Sequence, residues 1–263
     1  IRAYMHQIFN MEGRTDDFRR LGRRLTVVSA DLDSGSAVLF GSPKWNHIPI
    51  STAVQASTAV PGVYPPVCIE GRQCVDGVLL KTVHASVALQ QGAELLFCIN
   101  PIVPVDAAAA AREGRLPEDV VVQAGLPAVL SQTFRTLIHS RLRVGFARYA
   151  VRFPDADVVL LEPGAEEHHL FFANVFSFRS RRQICRTGYD ATRRTLLHRY
   201  AELEPVLRSH GLFLQRDVLE DPGRDLWSSI GLPSFLPRRR PSRAVTASLS
   251  RALDRLEAAA AAR

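Results

Sequence analysis

Asp76 and Gly77 form an Asp-Gly pair that lies between two apolar runs of the chain. By local pattern alone, this dipeptide is typical of a hairpin turn, and that interpretation stays open beside a catalytic one. A carboxylate held in a folded site can instead take a proton from a hydroxyl nucleophile, which is the role of a general base. The choice between the two interpretations depends on the block that ends with this pair, ASTAVPGVYPPVCIEGRQCVDG over 56–77.

Three other groups of residues could also take part in chemistry. Ser57 lies at the end of a predicted helix, where hydroxyls often bond to nearby backbone, so a nucleophile is the weaker interpretation. His84 follows Asp76 by eight residues and leaves a Ser-His-Asp triad as an alternative. His168 and His169 are adjacent, so their side chains point to different sides of any regular element, which favours a polar surface over a metal site.

The elements that must position Asp76 are short, and strands and helices alternate among them. Apolar runs, turn dipeptides and prolines predict a hairpin over 25–40, a helix over 49–59, strands over 67–69 and 73–75, a helix over 82–92 and a strand over 95–99. A strand, helix, strand order of this kind predicts an α/β architecture.

The flanking regions are predicted to be more helical. We expect a broken helix over 2–22, an exposed connection over 107–111, helix over 119–149, a strand over 158–161 and one long arginine-rich helix over 179–210. Beyond about residue 221 the chain becomes rich in Pro, Ser and Arg, and a terminal amphipathic helix is predicted over 244–262. We therefore expect two parts, a domain over 1–220 and a linker with terminal helix over 221–263.

Four segments, taken in order, carry a resemblance to a known family. They are LTVVSADLDSGSAVLFG (25–41), IPISTAVQAS (48–57), the 56–77 block and GAELLFCINP (92–101). Together they resemble patatin-like phospholipases, well over residues 1–105 and loosely over 119–200. The resemblance implies a patatin-type three-layer sandwich with an incomplete central sheet flanked by helices. It also implies lipid acyl ester hydrolysis, of the phospholipase A or lysophospholipase kind, by a Ser-Asp dyad without histidine. Asp76 matches the dyad aspartate and Gly77 the glycine that follows it.

The chain departs from the family pattern in three ways. It contains no G-x-S-x-G nucleophile elbow and no Gly-Gly pair followed by Arg, and Val78 stands where the family usually has Gly or Ala. A β-branched Val78 is expected to crowd the serine. The two missing motifs belong upstream in the family's order, so we expect this chain to be a C-terminal portion that is inactive by itself. A catalytically inactive, membrane-associated lipid-binding module is the alternative, and acyl transfer to an acceptor other than water is a third.

Composition limits the partners and cofactors. Of the formal net charge of +7, the segment from Arg238 onward contributes a surplus of five. Arg238, Arg239 and Arg240 therefore favour contact with an anionic membrane surface over contact with nucleic acid, and a disordered end is the open alternative for this segment. The arginine-rich stripe over 179–199 has two open interpretations. It is either a solvated helix face or a face that binds anionic phospholipid headgroups. The cysteines lack metal-ligand spacing, and Cys68 and Cys98 lie in apolar surroundings that predict buried free thiols. We expect no metal or cofactor, and a cytoplasmic protein that is peripheral at the membrane.

Overall fold

The computed structural model describes residues 1–164 and 181–231. The chain divides into two compact units, Ile1–Gln215 and Arg216–Arg263. In the first unit the strands are β1 (Val27–Asp31), β2 (Ala37–Phe40), β3 (Val67–Ile69), β4 (Arg72–Asp76), β5 (Leu95–Ile99) and β6 (Asp157–Leu161). Its helices are α1 (Arg2–Phe9), α2 (Ile50–Ser57), α3 (Ala85–Leu89), α4 (Ala107–Arg112), α5 (Val120–Gln123), α6 (Leu126–Arg152), α7 (Arg181–His198) and α8 (Tyr200–Ser209). The second unit contains α9 (Arg216–Glu220) and α10 (Leu226–Ser229).

The strand that carries Asp76 lies inside a four-stranded antiparallel sheet with the order β2-β1-β4-β3. Strands β1 and β2 form an antiparallel hairpin, so the hairpin predicted over 25–40 is confirmed. Its turn passes through Gly35, whose φ of +63° suits glycine. Strand β4 pairs with β1 on one side and with β3 on the other. At the far end of β4, Arg72 donates to the buried carboxylate of Asp31 at 2.6 Å, so an ion pair ties the two inner strands together.

Helix α2 packs on this sheet and closes its core. The core cluster includes Phe40, Ile50 and Cys74, each almost wholly buried. The start of α2 is held by Asp16, whose carboxylate accepts bonds from the Ser51 backbone N–H at 2.6 Å and from the Ser51 hydroxyl at 2.7 Å. A carboxylate at a helix N-terminus satisfies amides that have no partner within the helix, so Asp16 fixes where α2 begins.

The second sheet is a parallel pair, β5 with β6, in register from Leu95 opposite Asp157 to Ile99 opposite Leu161. Helices α3 and α6 contribute to the core on β5, and α8 contributes Leu203 and Leu207 to a further cluster around β6. The mixed α/β class predicted from the sequence is confirmed, with its described strands divided between these two sheets.

Several predicted boundaries change. The connection expected over 107–111 is the helix α4, because the Asp106 side chain accepts the Ala109 N–H at 2.8 Å and caps a run of alanine, the strongest helix former. The first helix ends at Phe9, and only a short 3₁₀ turn follows at Phe18–Arg20. The long helix expected over 179–210 is interrupted at Arg199. The backbone N–H of Arg199 still donates to the Thr195 carbonyl at 2.9 Å, and its guanidinium donates to the Leu160 carbonyl at 2.7 Å. The predicted terminal helix, Arg238–Arg240, Arg179 and the His168-His169 pair lie outside the described residues.

Across residues 1–164 and 181–231, none of the helices combines the length and apolar character that crossing a bilayer requires.

Candidate active site

Asp76 is the last residue of β4 and lies where this inner strand of the four-stranded sheet ends. Its backbone N–H donates to the carbonyl of buried Ala59 at 3.0 Å, and in the ladder it lies opposite the fully buried Ser29. The loop that follows α2 is therefore attached to the end of β4. These contacts fix the backbone that carries the carboxylate.

The Asp76 carboxylate is half-buried and only partly engaged. Its Oδ1 accepts the Val78 backbone N–H at 2.9 Å, which caps the 3₁₀ turn Gly77–Leu79. The other oxygen, Oδ2, accepts no hydrogen bond from the part of the chain that the structure describes. Burial raises the pKa of Asp76, while the Val78 N–H and the nearby His84 oppose that rise. A fixed carboxylate with one open oxygen and a raised pKa has the properties that a general base requires.

The Asp-Gly pair is not a hairpin loop, contrary to the local pattern. The next strand in the chain, β5, belongs to the other sheet, and the residues after Asp76 turn instead into the short 3₁₀ segment. The tight turn explains why the same dipeptide occurs here.

Gly77 is required by close packing rather than by an unusual φ. A Cβ added to it would lie 2.8 Å from the carbonyl oxygen of Val28 and 3.1 Å from Nε2 of His84. Because Val28 belongs to the inner strand β1, its carbonyl has little room to yield. Glycine thus lets the chain after Asp76 pass directly against the sheet.

His84 contacts this turn through one ring nitrogen. Its Nε2 lies 3.0 Å from the Gly77 carbonyl, which can only accept, so Nε2 donates in this contact. Burial lowers the pKa of His84, and the bond to Gly77 partly opposes that change. The ring therefore supports the turn through the nitrogen that faces it.

Helix α6 is hydrogen-bonded to the end of this 3₁₀ turn and to the loop that follows it, which together are called the loop after Asp76. Arg141 donates to the carbonyls of Leu79 and Leu80 at 3.1 and 3.0 Å, and the Thr82 hydroxyl donates to the Ile138 carbonyl at 2.9 Å. Sequence reasoning missed Arg141, because it lies more than sixty residues from the loop and nothing in the local pattern links the two.

A groove of about 450 Å³ lies between this loop and α6. Its lining combines cationic and apolar side chains, among them Lys81, Arg148 and Arg152 with Leu80, Phe146 and Tyr149. Among its lining residues no aspartate or glutamate occurs. The groove suits a ligand that has an apolar part and an anionic part.

The remaining candidates that the structure describes are Ser57 and the cysteines. Ser57 is the half-buried last residue of α2. Within the described ranges, no three His, Cys, Asp or Glu side chains come together as a group that could hold a metal ion. All four cysteines are free. Cys98 is buried, as predicted, but Cys68 is exposed, because its neighbours on β3, Val67 and Ile69, are the residues that face the core.

The sequence model of the patatin-like phospholipase family matches residues 2–89. This segment runs from α1 to α3 and includes the whole four-stranded sheet, Asp76, Gly77 and His84. The resemblance seen in the sequence is thereby confirmed over the elements that position Asp76. Helix α6 and the second sheet lie outside the matched residues.

Proposed function

We propose that this chain, which its matched segment assigns to the patatin-like phospholipase family, carries the general base of a lipid acyl hydrolase. The family match supports lipid acyl hydrolase activity in general. Asp76 is the base in this proposal, and the observation that carries it is the open Oδ2 of a carboxylate whose Oδ1 is held by Val78. In this proposal the serine partner comes from outside these 263 residues, which contain no G-x-S-x-G string.

In the proposed reaction, Asp76 Oδ2 accepts the serine proton while the serine oxygen attacks the ester carbonyl of the lipid. As the tetrahedral intermediate collapses, protonated Asp76 gives this proton to the departing alcohol, and an acyl-enzyme remains. Asp76 then accepts a proton from the attacking water and returns it to the serine oxygen as the fatty acid leaves. Burial supports this role because it raises the pKa of Asp76 and so strengthens the carboxylate as a base. Gly77 supports it by allowing the turn that positions Oδ1 against the Val78 N–H.

The finer assignment, a phospholipase A or lysophospholipase activity, is supported by the groove that begins at Leu80. An acyl chain fits its apolar wall, and the phosphate of a phospholipid complements Lys81, Arg148 and Arg152. Hydrolysis is proposed over acyl transfer because water needs no acceptor site of its own.

The deciding experiment compares two variants of the complete polypeptide, defined as this chain joined to a segment that supplies the G-x-S-x-G serine. Asp76→Asn is expected to lower kcat for a p-nitrophenyl ester and for a phosphatidylcholine by about 10²–10⁴, the usual contribution of a general base. His84→Gln is the control, because a glutamine amide can still donate to the Gly77 carbonyl; its rate should stay within about tenfold of wild type. A folded His84→Gln protein that is as inactive as Asp76→Asn would instead favour a Ser-His-Asp mechanism.

The chain of 263 residues is expected to hydrolyse neither ester by itself. Turnover by this chain that survives Asp76→Ala would contradict the assignment of Asp76. The alternative function, an inactive lipid-binding module, predicts lipid binding without turnover even when the segment that supplies the serine is present. Product analysis by mass spectrometry, with glycerol added as a competing acceptor, separates hydrolysis from acyl transfer.

A further inference from the structure

Helix α6 is apolar on two opposite faces. Its inner face contains Phe146 and Tyr149, which pack against the core on β5, and the buried Leu142. The opposite face carries large apolar side chains that remain exposed: Leu126, Leu130, Phe134, Leu137, Val144 and Val151. Phe134 is 58% exposed and Val151 is 84% exposed, so these are not the edges of the core.

The exposed residues form one continuous stripe. From Leu130 to Val151 the stripe advances by alternating steps of four and three residues, with Arg141 and Arg148 occupying the two remaining positions. Side chains at this spacing lie along one side of a helix. With 27 residues at about 1.5 Å each, α6 presents this stripe over about 40 Å. A contiguous exposed apolar surface of this size marks an interaction site.

The charges of α6 identify the partner. The helix contains five arginines and no Asp, Glu or Lys. Arg148 and Arg152 are exposed, and no carboxylate among the described residues forms a salt bridge with either. Pairing this face with the same face of a second copy would bring arginines together without any acidic residue on α6 to neutralise them. An anionic partner with an apolar interior fits both properties of the face.

We propose that the outer face of α6 lies on an anionic lipid surface, with the apolar stripe at the level of the acyl chains and with Arg148 and Arg152 against the headgroup phosphates. The groove supports this assignment, because Val144 and Arg148 of the same face line it and it leads to the loop after Asp76. A lipid could pass from the surface into the groove without crossing water. The proposal deepens the proposed function by assigning the surface from which its substrate is taken.

Vesicle co-sedimentation of the chain tests the proposal without requiring turnover. Wild type is expected to bind vesicles of phosphatidylglycerol and phosphatidylcholine in equal parts, and to bind pure phosphatidylcholine vesicles at least about tenfold more weakly. Leu130→Ser with Phe134→Ser should lower the partition coefficient on anionic vesicles by at least about tenfold. Arg148→Gln with Arg152→Gln should lower it by about thirtyfold, since one arginine near such a surface contributes roughly fivefold.

Matched control pairs lie elsewhere on the chain. Leu212→Ser with Phe213→Ser removes a second exposed Leu and Phe, and Arg20→Gln with Arg23→Gln removes two other exposed arginines. Both controls should bind as wild type does. Circular dichroism and the thermal midpoint establish that each variant is folded.

Three results would overturn the proposal. One is equal binding of wild type to neutral and anionic vesicles. Another is an equal loss of vesicle binding in the α6 double variants and in their control double variants. The third is a dimer that the α6 variants convert to monomer while vesicle binding stays unchanged, since the face would then be a contact between copies. Vesicle binding as expected, combined with no esterase activity in the complete polypeptide, would leave this surface standing and remove the proposed function.

Discussion

Replacing Gly77 by alanine tests directly how the site is built. The added Cβ would lie 2.8 Å from the Val28 carbonyl oxygen and 3.1 Å from Nε2 of His84. Non-bonded carbon and oxygen atoms normally approach to about 3.3–3.6 Å, so the first contact is too short by about 0.5 Å or more. The His84 ring can move, but the Val28 carbonyl belongs to the backbone of β1, which pairs with a strand on each side and so holds it in place.

The extra methyl group therefore has to displace either β1 or the turn. Overpacking of this kind costs about 1–3 kcal/mol, and we expect the upper part of that range because the blocking atom belongs to the sheet. Moving the turn would also lengthen the bond from the Val78 N–H to Asp76 and loosen the carboxylate. In the complete polypeptide, Gly77→Ala is accordingly expected to lower kcat as well as stability.

Urea unfolding, monitored by tryptophan fluorescence, measures how far Gly77→Ala lowers the free energy of unfolding. Gly22→Ala is the matched control, since a Cβ at Gly22 meets no atom within 4 Å and its φ is not positive. That variant should unfold within about 0.5 kcal/mol of wild type, or slightly later because alanine restricts the unfolded chain. If Gly77→Ala also stays within about 0.5 kcal/mol, close packing against β1 is not the reason for glycine here.

Three further outcomes are expected. Because burial raises the pKa of Asp76, its negative charge lowers the stability of the fold above that pKa but not below it. Asp76→Asn should therefore raise the thermal midpoint at neutral pH and lose this advantage as the pH falls to about 3. A difference in thermal midpoint that stays constant with pH would contradict this explanation. Asp16→Ala should cost about 1–2 kcal/mol in urea unfolding, because it removes the bonds to Ser51 that begin α2, and full stability in the variant would show that water replaces the cap. In a thiol titration with an aromatic disulfide, exposed Cys68 should react in the native protein, whereas Cys98, whose pKa burial raises to about 11, should react only after unfolding.

The elements that could be predicted are those whose evidence is local. The hairpin over 25–40, the short strand at Val67–Ile69 and the apolar strand at Leu95–Ile99 each appear where alternation, turn residues and apolar runs indicate them. Helix α2 begins directly after Pro49, as the sequence suggests. These patterns depend on neighbouring residues, and tertiary packing agrees with them.

The contacts that could not be predicted join distant segments. Pairing of β1 with β4, the bonds from Arg141 to Leu79 and Leu80, and the capping of α2 by Asp16 each span tens of residues. Periodicity and propensity say which face of an element is apolar, but not which partner will cover it. Helix α4 differs from the predicted exposed connection for another reason, a local one: Asp106 caps the alanine run and so makes it helical.

Asp76 shows how the two interpretations of an Asp-Gly pair can both hold. The local pattern indicates a turn, and one carboxylate oxygen does form the turn by accepting the Val78 N–H. Family resemblance indicates a base, and the second oxygen is the one that remains open for a proton. A residue that served only the turn would be replaceable by Asn or Ser, both of which can accept the same N–H. The proposed hydrolase needs the second oxygen to carry negative charge, and only aspartate supplies it while keeping the turn.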